Sequence, residues 1–227
     1  MTAQTKLNQI HYKEMMLRLV IMFCGLTIAH LGVTLFLLAD LGSDPFNVLI
    51  QGIFRKLSVS VEWSFLSHGR IHMAICFLII LVLLTIDKTY IKVGTILCMF
   101  CGGPIIDVFT ALIQNHFNST SSFTMRITGL ICGCVILAYG MTIVMKADAG
   151  VGPNDLVAIV LSDKSKKPFS INRIIVDACF VLIGFLLGGS VGAGTIICVF
   201  IIGPVAGLFL PVNGKIVNYI VRKIIPD

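Results

Sequence analysis

The chain has 227 residues, 57% of them hydrophobic and 12% charged, with a formal net charge of +6. A mean hydropathy of +0.99 leaves a water-soluble domain nowhere to put its apolar surface, so the composition points to a lipid bilayer. No Walker-type loop, HExxH or GxSxG motif occurs, which argues against a self-contained ATPase or a familiar hydrolase; the chain is expected not to be an enzyme, and no cofactor is read from it.

Apolar runs at 18–39, 71–86, 93–113, 127–145, 174–191 and 195–211 have the length that about 30 Å of hydrocarbon demands. They predict an all-α polytopic membrane protein with six transmembrane helices. Basic residues precede the first run as they would a secretory signal, but its length and the lack of a small-residue cleavage site predict a retained helix. His30, midway along it, is either a neutral, hydrogen-bonded core histidine or a proton-handling residue. All eight cysteines lie inside apolar runs, as small buried hydrophobes do; metal binding by Cys98 and Cys101 is the sharper alternative.

Between the first two runs stands LADLGSDPFNVLI, residues 38–50, and between the fourth and fifth stands KADAGVGPNDLVAIV, residues 146–160. Each turn leads into an apolar stretch, 46–54 and 156–161, shorter than the ~17 residues a span needs, so each predicts a short broken or re-entrant helix.

Charge orients the spans. Lys6, Lys13 and Arg18 precede the first, Lys88 and Lys92 separate the second from the third, Lys146, Lys164, Lys166, Lys167 and Arg173 fall between the fourth and fifth, and Lys215, Arg222 and Lys223 follow the sixth. With six spans and a cytoplasmic N-terminus all of these lie inside, while the loop 114–123 carries no Lys or Arg. Arg55, Lys56 and Arg70 are the exceptions. Orientation therefore explains the net charge, and no nucleic-acid partner is needed.

The chain also repeats itself. Gly32/Gly140, Thr34/Thr142, Ala39/Ala147, Asp40/Asp148, Gly42/Gly150 and Pro45/Pro153 match at a separation of 108 residues. Gly94/Gly194, Thr95/Thr195, Cys98/Cys198, Phe100/Phe200, Gly103/Gly203 and Pro104/Pro204 match at 100, and Arg70/Arg173 and Cys76/Cys179 at 103. The predicted organisation is a cytoplasmic tail at 1–16, a first membrane repeat at 17–113, an outer loop at 114–125, a second repeat at 126–211 and a cytoplasmic tail at 212–227. Three spans per unit is an odd number, so the second copy is inverted, as in alternating-access carriers. Duplication that yields only a stable symmetric bundle is the plainer reading.

In the turns, Asp44 is placed to cap a helix beginning at Pro45, and Pro153 begins another with Asn154 and Asp155 in its first turn. Gly42, Gly150 and Gly152 allow the reversal, and free backbone N–H groups there suit an anion or a carboxylate. Capping explains Asp44 and Asp155 but not Asp40 and Asp148, so these residues form the candidate substrate or gate site. Alternatively Arg70 and Arg173 anchor the turn aspartates and close each short helix against the next span. Asp107 and Asp177 lie inside apolar runs without acidic repeat partners, and with His30 they are the ion-coupling candidates; Asp177, deeper in its run, comes first.

The turn LGSDPFNVL, its echo AGVGPNDLV, and the blocks VGTI…GGPIID and AGTI…IGP resemble the YczE/YyaS/YitT-like bacterial integral membrane proteins over almost all of the chain after about residue 17. Members usually read aGlGPwd, so Gly42 and Pro45 fit, Phe46 stands at an aromatic position, and Asp44 replaces a glycine. The resemblance implies a polytopic protein of the bacterial cytoplasmic membrane, commonly filed as a transporter, and supplies no substrate. The expected function is secondary transport of a small polar or anionic solute by alternating access, with proton coupling, both termini cytoplasmic. The alternative is an assembly or secretion-supporting partner protein without transport. Candidate partners are the bilayer, the solute, a proton and a second copy of the chain.

Overall fold

The computed structural model describes residues 3–42, 44–60 and 68–225, with the side chains of residues 3–11, 59–60 and 68–70 outside that description. Lipid offers no partner for backbone N–H and C=O groups, so a chain this apolar has to satisfy them inside helices. The elements are α1 (Ala3–Ala39), α2 (Pro45–Ser60), α3 (His68–Ile86), a 3-10 turn (Lys88–Tyr90), α4 (Val93–Ile113), α5 (Phe123–Ala147), α6 (Pro153–Ser165), α7 (Phe169–Leu186) and α8 (Ala193–Ile224). Five are long and apolar enough to cross a membrane: Tyr12–Ala39 of α1, then α4, α5, α7 and α8. In α3 the described apolar stretch, Ile71–Ile86, is shorter. The two turn-following helices start at Pro45 and Pro153 as expected, and run on to Ser60 and Ser165.

Helices α1 and α5 form the centre of the bundle and run antiparallel. Between helices in lipid there is little hydrophobic drive, so small residues that allow close backbone approach set the contact. A Cβ on Gly32 would stand 2.5 Å from the Gly133 carbonyl oxygen, and one on Gly140 would stand 2.6 Å from that of Gly25. The ends are clamped. Arg126 at the start of α5 donates to the Ala39 and Asp40 carbonyls at the end of α1, at 2.7 and 2.5 Å, and Arg18 donates to the Ala147 carbonyl at the end of α5, at 3.2 Å. Cations belong at helix C-termini, where unpaired carbonyls and the macrodipole present negative charge.

Around this pair, α4 lies on α1 and α8 on α5, while α2 packs on α7 and α6 on both α3 and α7. Helix α7 also packs along α8, whereas among the described residues α3 and α4 have no comparable seam. The largest apolar cluster joins Phe36, Leu130, Cys134, Met141, Cys198 and Ile202 from α1, α5 and α8.

The residues read as a C-terminal tail are helical through Ile224, because α8 continues without a break past Pro211. Asn213 holds it there. Buried at 1% exposure, it donates to the Tyr139 carbonyl at 3.2 Å and the Thr142 hydroxyl at 2.6 Å on α5, an interhelical bond that fixes the extension.

Candidate functional site

The two turns end their helices in the same way. Asp40 and Asp148 adopt left-handed backbone, φ 49° and 58°, a conformation that Asp tolerates better than most residues. Each side chain faces outward, 73% and 69% exposed. Asp148 pairs with Lys92 at 2.5 Å, and Asp40 lies 4.0 Å from Arg126. The expectation that Arg173 anchors a turn aspartate and closes its short helix against the next span is met at Asp155 and not at Asp148; the Arg70 side chain is outside the described residues. The left-handed ends of α1 and α5 give Asp40 and Asp148 a local structural role at matching positions of the two turns.

Gly42 and Gly150 follow with φ of 143° and 133°. Each turn is pressed against the start of a distant helix: a Cβ on Gly42 would lie 2.7 Å from the Thr195 hydroxyl, and one on Gly150 would lie 2.7 Å from the Gly94 carbonyl carbon. The turns also cap those helices, since Gly194 N–H donates to the Leu41 carbonyl at 2.8 Å and Gly94 N–H to the Ala149 carbonyl at 2.9 Å. Orphan donors at the starts of α8 and α4 are thereby satisfied from across the bundle.

Of the anion-receptive N–H groups expected at the starts of the short helices, all but that of Asn154 are already engaged. Asp44 caps α2, its Oδ1 accepting from Phe46 N and Asn47 N at 3.2 Å each and its Oδ2 accepting from the Asn47 amide. In α6, Gly152 is the cap residue and Pro153 occupies the first turn; Asp155 N and Leu156 N turn back to the Gly152 carbonyl at 3.1 and 3.0 Å.

The charged centre lies one step further in. Arg173 of α7 donates through Nη1 to Asp155 Oδ1 of α6 at 2.5 Å and through Nε to Asp177 Oδ2 at 2.8 Å. Arg173 is 6% exposed and Asp177 1%, so this is an ion triad inside the protein. Four residues apart, Arg173 and Asp177 share one face of α7. A buried carboxylate requires such a partner, because desolvating it alone is prohibitive. Asp177 Oδ1 nevertheless has no hydrogen-bond partner among the described residues. Asn154 braces Asp155 at 3.0 Å, and Asp44 lies within electrostatic reach of both Arg173 and Asp177.

His30 sits at the edge of this centre, within electrostatic reach of Asp155. Its Nδ1 is 2.8 Å from the Leu26 carbonyl, and since a carbonyl only accepts, Nδ1 carries the proton. Nε2 faces α4 closely enough that a Cβ on Gly102 would come within 2.7 Å of it. Asp107 does not join the others. It lies on the exposed face of α4 with Phe100, Val108 and Leu112, without a hydrogen-bond or ion-pair partner among the described residues. An open groove of about 640 Å³ lined by Leu35, Phe117, Met125 and Cys132 lies elsewhere, against the 114–122 loop.

Sequence reasoning passed over Lys92 and Arg126 as turn partners and Asn213 as a tie between α5 and α8. One signal was present for the clamps: Arg18 and Arg126 stand 108 residues apart, the separation of the two turns. The spacing of Arg173 and Asp177 was likewise an (i, i+4) pair in plain view.

A helical bundle with five helices long and apolar enough to cross a membrane, and an ion triad held in its interior, defines a polytopic membrane protein. The chain belongs to the family described as "Family of unknown function (DUF6198)", matched over residues 16–211. It is similar to "Uncharacterized protein YyaS" of Bacillus subtilis (strain 168), 28% identical over 192 residues that make up 83% of this chain and 90% of that one. It is also similar to "Uncharacterized membrane protein YczE" of the same strain, 25% identical over 213 residues, 93% of this chain and 94% of the other. A third relative, from Haemophilus influenzae, is 26% identical over 217 residues, 94% of this chain and 91% of its own. These relatives support the placement among bacterial multi-pass membrane proteins. No solved structure matches the chain.

Proposed function

We propose that the protein is a secondary carrier that moves a small polar solute by alternating access, with Asp177 as the proton-coupling residue, and that it is not an enzyme. The observation that carries this reading is the Asp155–Arg173–Asp177 triad, which joins the first turn of α6 to a spanning helix and leaves Asp177 Oδ1 without a partner among the described residues. A passive scaffold has no use for an unmet carboxylate oxygen at that depth. The substrate or gate assignment of Asp40, Gly42, Asp44, Pro45, Arg70, Asp148, Gly150, Gly152, Pro153, Asn154, Asp155 and Arg173 belongs to the same reading.

Six spans arranged as two inverted units are part of the proposal, with both termini in the cytoplasm. Supporting it, contacts recur with partners exchanged. Gly32 against Gly133 is answered by Gly140 against Gly25, and Gly194 N–H to Leu41 by Gly94 N–H to Ala149. Each unit then braces its turn on the last helix of the other, so a shift of one turn is felt across the bundle. The test is uptake or efflux in sealed proteoliposomes against a panel of small solutes, with and without an imposed pH gradient. Gradient-driven accumulation that Asp177→Asn abolishes is expected. Full accumulation by that variant removes Asp177 from coupling, and a folded protein that moves nothing in either direction overturns the carrier.

A second reading, a membrane-embedded assembly or secretion-supporting partner, is favoured by Asp107. A carboxylate on the outer face of an apolar helix is a handle for another chain, or for a second copy of this one.

A further inference from the structure

The carrier reading leaves the chemical class of the solute open, and the charges of the central site narrow it. Around Asp177 stand Arg173 on its own helix, Asp155 on α6 and Asp44 on α2, with Cys198 of α8 in electrostatic reach; His30 of α1 and His72 of α3 reach the cluster through Asp155 and Asp44. Among the described residues, three carboxylates thus face one guanidinium. The positive ends of two short helices offset part of that excess. The N–H groups an anion would use at α2 are taken by Asp44, and any anion at α6 would meet the Asp155 carboxylate. Accepting capacity is left at Asp177 Oδ1 and at Asp155 Oδ2, which make no hydrogen bond among the described residues, beside the donors Arg173 Nη2 and Asn154 N–H.

One unmet buried oxygen does not make a coordination shell for a metal ion, and no three His, Cys, Asp or Glu side chains converge to hold one among the described residues. It does suit a donor that brings its own N–H. An apolar wall stands beside it. Phe180 is on the Asp177 face of α7, three residues on, with its ring 5.4 Å from that of Phe46, which in turn meets the His72 ring edge-on at 5.3 Å. Aromatic rings next to carboxylates are the surroundings in which an organic cation is held by charge, hydrogen bond and π-face together.

We propose that the central site binds a small primary ammonium ion, its N–H donating to Asp177 Oδ1, in competition with a proton on the same carboxylate. The inference rests on the carrier reading for its place in transport, and binding tests it apart from flux. The exchange balances: a protonated Asp177 releases its proton to the medium as the ammonium ion binds the carboxylate. One oxygen cannot hold both, so the two cations take turns, and a carrier with this site exchanges one for the other.

The experiment is calorimetric binding to the full chain in lipid nanodiscs, using ethylammonium, tetramethylammonium, acetate and inorganic phosphate as their simple salts between about pH 6 and 8.5. Ethylammonium is expected to bind with an affinity that rises with pH, by up to about tenfold per unit while the free protein holds the proton, and to release up to one proton into weakly buffered medium. Tetramethylammonium has the charge without an N–H and is expected to bind at least about tenfold more weakly. Asp177→Asn is expected to lose ethylammonium binding and Asp177→Glu to retain it. Equal binding of the two cations, preferential binding of acetate or phosphate, pH-independent affinity, or unchanged binding by Asp177→Asn each overturns the proposal. Should Asp177→Asn fail to fold, the contrast between cations and the proton release on the unaltered protein still decide it. Anion flux without amine binding would sink the ammonium site and leave the carrier; amine binding without flux would do the reverse.

Discussion

Arg173 and Asp177 are bonded Nε to Oδ2 at 2.8 Å within a single turn of α7, and the same guanidinium reaches 2.5 Å to Asp155 of α6. One cation therefore neutralises carboxylates on two helices. Arg173→Met is expected to leave two acids uncompensated and to destabilise the folded protein by about 3–5 kcal/mol. Combining it with Asp177→Asn is expected to recover part of that loss, because the most buried charge goes with its partner. Thermal melting in detergent, followed by tryptophan-independent aggregation or size exclusion, checks both. A double variant no better than the single one would show that Asp177 is not the group Arg173 compensates.

The α1–α5 contact makes a different prediction, about space and not charge. Gly140→Ala places a methyl group 2.6 Å from the Gly25 carbonyl oxygen, where only helix backbone can yield, and a cost of about 1–3 kcal/mol is expected. Gly103→Ala on α4 meets nothing within 4 Å and is expected to be neutral or slightly stabilising through helix propensity. Matched melting curves decide it; similar losses for both would mean that the close approach does not govern the bundle.

At the turns, Gly42→Ala and Gly150→Ala add steric conflict with Thr195 and Gly94 to a backbone of positive φ. Each is expected to unseat the cap it provides on a distant helix and to lower the melting temperature clearly, whereas Lys92→Ala removes a largely exposed pair worth no more than about 1 kcal/mol. A turn substitution as mild as the lysine one would show the caps to be incidental.

Asp107→Leu removes a carboxylate from the exposed side of α4, where its neighbours are Phe100, Val108 and Leu112. In a carrier that uses only its interior, stability is expected to hold or rise and uptake to persist, since a charged group facing hydrocarbon costs about 2.5–3.5 kcal/mol. Loss of uptake, or of a chain that co-purifies with the unaltered protein, would instead make Asp107 part of an interface.

Much of the architecture was legible because lipid narrows the choices: long apolar runs are helices, and Pro45 and Pro153 start new ones. The separation of 108 residues also predicts which residues play parallel roles, and Arg18 and Arg126 extend it beyond the turns. Partners were harder to read. Asp40 and Asp148 stand out in the sequence because capping does not explain them at matching positions, whereas the left-handed helix ends they form are revealed only by backbone φ. Asp107 and Asp177 are indistinguishable by hydropathy. Their difference lies in which face of the helix meets the bundle, and that is fixed by packing of α4 on α1 and α7 on α8.

Topology gives the last prediction. Basic residues of the 164–167 stretch and of the end of α8 should share the cytoplasm with Arg18, which clamps the Ala147 end of α5, while Arg126 and the 114–122 loop should face outward with the Asp40 end of α1. The native cysteines are first replaced. Single cysteines at Asn118 and Lys166 are then labelled in intact cells with a membrane-impermeant maleimide. Asn118 is half-buried in a bend of the loop and Lys166 ends α6 exposed in left-handed backbone, so both are reachable once reagent is on their side. Labelling of Asn118 without permeabilisation, and of Lys166 only after it, is expected. Reaction of both from one side would require an even number of crossings between them, which is incompatible with α5 as the single span separating the two sites and would remove the inverted arrangement on which the shared clamps at opposite membrane faces depend.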